Sequence, residues 1–357
     1  MIFTRYLYIK DEVEISLTTS ILEKKEESVF WAYELYHSGY ENETFTILWK
    51  IYYYFFSTLN PSFETYFLKK HKEWLSDKQD VYVSLIVQNL MIRPFNLDVF
   101  FLHKINTHLE LEEDEVQQVE DLLRKEKYLE IATLVMKCDE TIEENIFTHF
   151  AVDKTRRSTY RKIIQFLNGQ VDPKIILISR MMTYYSSEKN KKGRSFYVIV
   201  EPEEVVVYET IIPDKDKYRA YKILPIACMY SIDKYNYLSL FTTERERYQS
   251  PMNVYHYFWL FHASKTPIWE SRLKQYNGTP DTVTKRVQFK TDEEEELFYD
   301  NYGYEPDEQR IDTQYKNMQI VVPQRTWVDI YNTYKEFGLF VMEEEIVEAF
   351  DKIRLFE

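Results

Sequence analysis

Glycine is scarce in this chain: six among 357 residues, at positions 39, 169, 193, 278, 303 and 338. No Gly-x-Gly pair exists, which removes the loops in which glycine lets backbone approach a phosphate or take positive φ. A Walker loop and a dinucleotide fingerprint are both excluded. Cysteine is rarer still. Cys138 and Cys228 lie ninety positions apart, in no disulfide or metal spacing, which suits a reducing compartment and buried thiols. Seven histidines supply no zinc pair, because His103 and His108 are five apart and His256 and His262 six apart, where two ligands on one helix face need a spacing near four. No Gly-x-Ser-x-Gly elbow is present, and no cysteine has a histidine near it in sequence, so catalysis has no identifiable carrier. The sequence predicts a chain that uses no cofactor and no metal.

Long apolar runs are missing as well. The longest uncharged run, Tyr248–Ser264, contains Gln249, Pro251, Asn253 and two histidines, and falls short of the ~20 apolar residues of a membrane crossing. The N-terminus is broken by Arg5, Lys10, Asp11 and Glu12, leaving no core of signal-peptide length. A soluble, intracellular protein is predicted.

What the chain has instead is aromatic rings, 17% of all residues. The stretch Glu27–Tyr40, ESVFWAYELYHSGY, sets Val29, Ala32, Tyr33 and Tyr36 at three- and four-residue steps, while Phe30, Trp31 and Leu35 cover the other sides. The spacing predicts a helix with neighbours all round. Gly39 suits the left-handed position beyond its last turn. Glu41–Phe56 reads as the next helix, and the short link implies an antiparallel hairpin. Asn60-Pro61 then supplies a cap and a first-turn proline for a helix to about Trp74. Further helical patterns cover about 80–92, 97–108, 112–125, 127–137 and 141–150, and no fixed repeat period connects them. Rings filling the seams bury roughly 150–250 Å² each, enough to make a glycine-poor stack stiff.

The predicted fold is therefore mainly α: an array of antiparallel helical hairpins over 1–150, then a helical domain over 151–357 with a small β insertion. Short β-strands are expected around 195–212, where Phe196–Val200 and Val205–Ile212 are β-branched and bracketed by prolines, with a buried helix as the alternative for the second. Asp172-Pro173 caps a helix, and helices return at 253–263, 269–276, around 294–302 and through most of 326–356.

Net charge is −14, which sets the average field against nucleic acid. The charge is segregated, however. Residues 151–194 carry eleven Lys and Arg against three acids, a local +8, and residues 291–312 carry ten acids against Arg310, a local −9. The acid run TDEEEE reads as a solvated helix start, capped by Thr291. The basic segment is the candidate binding surface: Lys154, Arg156, Arg157, Arg161 and Lys162, with Tyr160 among them, and Lys191, Lys192 and Arg194 further on. Such residues can contact phosphates while the ring stacks on a base, as in single-strand binders. The alternative is a solvated helix face that pairs with the acidic segment, Asp292–Asp312, of its own chain or of a neighbour.

Two segments, YNYLSLF and YKEFGLF, match the pattern of peptides that grip the cap-binding translation initiation factor, through Tyr235, Leu240 and Phe241 and through Tyr334, Leu339 and Phe340. Thirty-one tyrosines make about one such match expected by chance at ordinary leucine and apolar frequencies. Gly338 costs the second a further ~1 kcal/mol of helix propensity.

Four blocks carry a resemblance: ESVFWAYELYHSGY, WKIYYYFFSTLNPSFETY (Trp49–Tyr66), WLFHASKTPIWESRLKQYNG (Trp259–Gly278) and FYDNYGYEPDEQ (Phe298–Gln309). Together they resemble an uncharacterised protein family of giant DNA viruses of the mimivirus kind. The resemblance implies the host cytoplasm, in a virus factory, and a place in the virion, and it carries over no catalytic residue. Three functions are expected in order: a non-enzymatic scaffold holding viral or host proteins in a viral gene-expression or assembly complex, including translation initiation; an RNA- or DNA-associated factor using 154–194; and an enzyme of unrecognised type.

Overall fold

In a computed structural model, fourteen α-helices are found among the described residues, which are 2–108, 119–137, 141–187, 197, 199, 201 and 258–302. They are α1 (Lys10–Leu22), α2 (Ser28–Tyr36), α3 (Glu41–Ile51), α4 (Phe63–Asp77), α5 (Val81–Met91), α6 (Asp98–His108) and α7 (Val119–Arg124). Then come α8 (Tyr128–Lys137), α9 (Thr141–His149), α10 (Lys154–Leu167), α11 (Pro173–Ser187), α12 (Trp259–Ala263), α13 (Pro267–Gln275) and α14 (Asp292–Tyr302). The chain is mainly helical, and the described residues include one small antiparallel sheet of β1 (Thr279–Asp281) and β2 (Arg286–Gln288), in which Pro280 faces Val287. That hairpin is a feature the sequence reading does not contain. Of the strands expected around 195–212, Tyr197, Ile199 and Glu201 have no regular structure and the remainder lies outside the described residues. The helix expected over 326–356 and both cysteines lie outside them too.

The described residues divide into two compact units, neither of them continuous in sequence. The first gathers residues 2–45, 73–91, 199, 201 and 258–302; the second gathers 46–72, 92–108, 119–137, 141–187 and 197.

In the first unit every residue of α2 is buried, as expected from rings on all its sides. The Trp31 indole meets Tyr8 edge-on at 5.0 Å and Phe30 at 5.1 Å. Tyr36 donates its hydroxyl to the Lys78 carbonyl and accepts the indole N–H of Trp74, each at 2.9 Å. Glu34 is fully buried, yet it accepts from Arg5 Nε at 2.9 Å and from the Tyr6 amide at 3.0 Å. Burial raises its carboxyl above the ordinary range, against the pull of Arg5. Gly39 takes φ +91° after α2, and a Cβ there would lie 2.5 Å from Pro267 Cβ, so this position needs glycine for both conformation and space.

The second unit is built around a run of five rings. After α3 the chain widens into a π-helical turn, Tyr52–Phe56, closed by the Ser57 amide on the Tyr52 carbonyl at 2.8 Å. Four of the five rings are buried there. Trp49 stacks on Phe67 with centroids 3.7 Å apart, and its indole donates to Nδ1 of His71 at 2.9 Å. His71 therefore carries its proton on Nε2. Asn60 does not cap α4 as expected, for the helix starts at Phe63 and the Asn60 amide instead donates to the carbonyls of Phe56 and Pro94 at 3.0 and 2.8 Å. Asp172 does cap α11, accepting from the Lys174 amide at 2.9 Å.

Candidate docking groove

Helix α10 carries the basic segment, and its sequence dictates which side faces in. Asp153 caps it, accepting from the Arg156 amide at 2.9 Å, and Asn168 ends it in the left-handed conformation. Tyr160, Ile163 and Leu167 recur at three- and four-residue steps and are the buried stripe. The opposite face holds Lys154, Arg161 and Lys162, all exposed, none in an ion pair among the described residues.

The other expected residues are placed differently. Arg156 is exposed and leans on Asp153 at 3.4 Å. Arg157 is half-buried and occupied: it pairs with Glu144 and donates through Nε to the Val152 carbonyl at 2.9 Å. Tyr160, expected to stack on a base, is 2% exposed with its ring edge against Phe147 at 5.1 Å. It belongs to the apolar stripe and cannot reach a ligand. Burial, and next the charge of Glu143, hold its phenol well above the usual range. Lys191, Lys192 and Arg194 lie outside the described residues, as do Tyr235, Leu240, Phe241, Tyr334, Leu339 and Phe340.

The exposed face of α10 borders a half-open groove of about 350 Å³ whose other wall is α4. Thr159, Lys162, Ile163, Gln165 and Phe166 line one side, and Glu64, Thr65, Leu68 and Lys72 the other. The α4 wall is absent from the sequence reading, although the run Leu68–Lys72, LKKHK, is the signal that marks it. Lys72 extends its ammonium over the Phe166 ring, 5.5 Å from the centroid, a contact that keeps the cation beside an apolar surface.

Glu64 contributes no free negative charge to this groove. One terminal nitrogen of Arg180 donates to both its carboxylate oxygens, and Tyr53 donates to Oε1 at 2.7 Å. The Glu64 side chain is only 6% exposed. Burial, reinforced by the Glu64 charge, holds the Tyr53 phenol well above its usual range. With the carboxylate neutralised, Lys72 and Lys162 set the sign of the groove over a floor of Leu68, Ile163 and Phe166.

A second polar cluster lies in the same unit. Tyr54 and Nδ1 of His103 are 3.2 Å apart. Burial, and then Lys104, depress the His103 imidazole to about 4, while burial and Lys50 depress the Lys104 ammonium to about 8. Among the described residues no three His, Cys, Asp or Glu side chains converge as a metal site, and no helix is long and apolar enough to cross a membrane.

Compared with known protein families, with curated proteins and with solved structures, the chain finds no match.

Proposed function

We propose that the protein is a non-enzymatic helical scaffold that holds an acidic, helical protein segment in the groove between α4 and α10. The observation that carries this reading is the pairing of an apolar floor, Leu68, Ile163 and Phe166, with the flanking cations Lys72 and Lys162, while Glu64 is neutralised by Arg180. An amphipathic helix with acids beside its apolar stripe complements such a groove. The proposed setting, a viral gene-expression or assembly complex in the host cytoplasm, is supported by the resemblance of the four aromatic blocks alone.

A second reading, single-stranded nucleic acid along α10, draws support from the cations Lys154, Arg161 and Lys162 without ion pairs among the described residues. It lacks a stacking ring, since Tyr160 is buried, and the net charge of −14 opposes it. Fluorescence anisotropy separates the two. A labelled acidic helical peptide and a labelled single-stranded RNA are each titrated with the full chain at low and high salt. Saturable, salt-sensitive binding of the peptide and none of the RNA is expected. Binding of the RNA alone would replace the scaffold reading by the nucleic-acid one, and binding of neither would end both.

A further inference from the structure

The first unit presents a helix with the chemistry that the groove requires. In α14, Phe298 is fully buried against Phe289 and Tyr276, with ring centroids 5.2 and 5.8 Å away. Thr291 caps its first turn, accepting from the Glu294 amide at 3.3 Å. The opposite face carries Glu293, Glu296, Leu297 and Asp300, spaced i, i+3, i+4 and i+7, so they form a single stripe. All four are exposed, and Leu297, 52% exposed, stands along one edge of the three acids. None of those three carboxylates has an ion pair among the described residues. A large aliphatic side chain flanked by acids on a capped helix has the form of a docking knob.

Sizes agree as well as charges. The stripe from Glu293 to Asp300 spans roughly 10 Å at the helical rise, and the α4 wall from Glu64 to Lys72 roughly 12 Å. We propose that α14 of a second copy of this chain occupies the α4/α10 groove. Leu297 lies over Leu68, Ile163 and Phe166, and the acids of its stripe meet Lys72 and Lys162. This rests on the reading of the groove as a site for an acidic helix, and names that helix. The contact is heterologous: each copy offers one groove and one knob, so association continues head to tail into rings or open chains. Opposed charges at a solvent-exposed rim speed and orient the encounter, and salt screens them.

The test is sedimentation equilibrium of the full chain over a range of concentrations, at low and high salt. At low salt the average mass is expected to climb with concentration, and at high salt to return towards the monomer. Reversing the groove (Lys72→Glu with Lys162→Glu) or the knob (Glu296→Lys with Asp300→Lys) should each weaken association by about tenfold or more. The chain bearing all four changes should associate again, which separates lost complementarity from lost folding. Self-association that survives groove reversal would overturn the proposal, as would a quadruple variant that folds and stays monomeric. A wild-type chain that stays monomeric at low salt would overturn it too. If that monomer still binds the acidic peptide, only the second-copy occupant falls; if it does not, the groove reading falls with it.

Discussion

Arg180 holds both carboxylate oxygens of Glu64 through one terminal nitrogen, at 2.5 Å each, with Arg180 15% and Glu64 6% exposed at the side chain. The pair removes from the groove's electrostatic balance the one carboxylate among its described lining residues. Breaking such a pair leaves one buried charge without a partner, which costs far more than the pair itself contributes. Glu64→Gln should therefore lower stability by about 3–5 kcal/mol in urea denaturation. Replacing both partners by apolar residues of similar size, Glu64→Leu with Arg180→Met, should cost distinctly less than either single change. Equal losses in the single and double variants would contradict this account of the pair.

The aromatic helix α2 makes a packing prediction. Trp31, Tyr33 and Tyr36 are 2%, 3% and 7% exposed, so the run is core. Trp31→Ala should cost roughly 3–5 kcal/mol, as large-to-small changes do where the surroundings cannot collapse. Tyr36→Phe keeps the ring but removes the acceptor of the Trp74 indole, and should cost about 1–3 kcal/mol for the stranded donor. Thermal denaturation followed by circular dichroism ranks the two.

Two glycines with positive φ separate conformational strain from crowding. Gly169, at φ +82°, has nothing within 4 Å of a built Cβ, whereas at Gly39 the Pro267 ring is in the way. Gly169→Ala should cost about 1 kcal/mol, the left-handed penalty alone. Gly39→Ala should cost at least about twice that, because Pro267 must move as well. Similar losses at both positions would show that Pro267 yields freely.

Acid should destabilise the second unit through His103. Its folded-state value of about 4 lies below the ordinary 6.5, with burial the first cause and Lys104 the second. The unfolded chain thus takes up a proton that the folded chain refuses. The His103 contribution to stability is full above about pH 6.5 and falls as pH drops from there towards 4, by on the order of 3 kcal/mol at most. Protonation of Nδ1 would also remove the acceptor facing the Tyr54 hydroxyl. His103→Phe should flatten the pH dependence of urea stability across this window. An unchanged slope would place the acid sensitivity elsewhere.

Much of the fold is legible in the sequence because rings and aliphatic residues recur at helical steps. The expected helices at 41–56, 80–92, 97–108, 127–137 and 141–150 have observed counterparts close to those bounds. Helix α1 is not legible. Its Val13, Ile15 and Leu17 alternate at two-residue steps, and its buried Thr18 and Ser20 satisfy their hydroxyls on the helix's own carbonyls, Glu14 at 2.9 Å and Leu17 at 3.1 Å. The β1–β2 hairpin is too short to show a period. Its turn is held by Asp281 accepting from the Val283 amide at 2.8 Å. At the groove, the cations of α10 are legible, but the α4 wall is not, since Lys72 and Lys162 stand ninety positions apart and only tertiary packing unites them. Tyr160 is the opposite case. Its spacing to Ile163 and Leu167 already marks the inward stripe, and the charges around it obscure that pattern.

The most direct measurement of the central claim is a charge-swap cycle at Lys162. The dissociation constant of an acidic helical peptide is measured for the wild-type chain and for Lys162→Glu, then for both proteins with a peptide whose central acid is replaced by lysine. A groove built on Lys162 predicts that the protein change alone and the peptide change alone each weaken binding by about tenfold or more, and that the two together restore most of the loss. Binding of the original peptide that is indifferent to Lys162→Glu would contradict the claim.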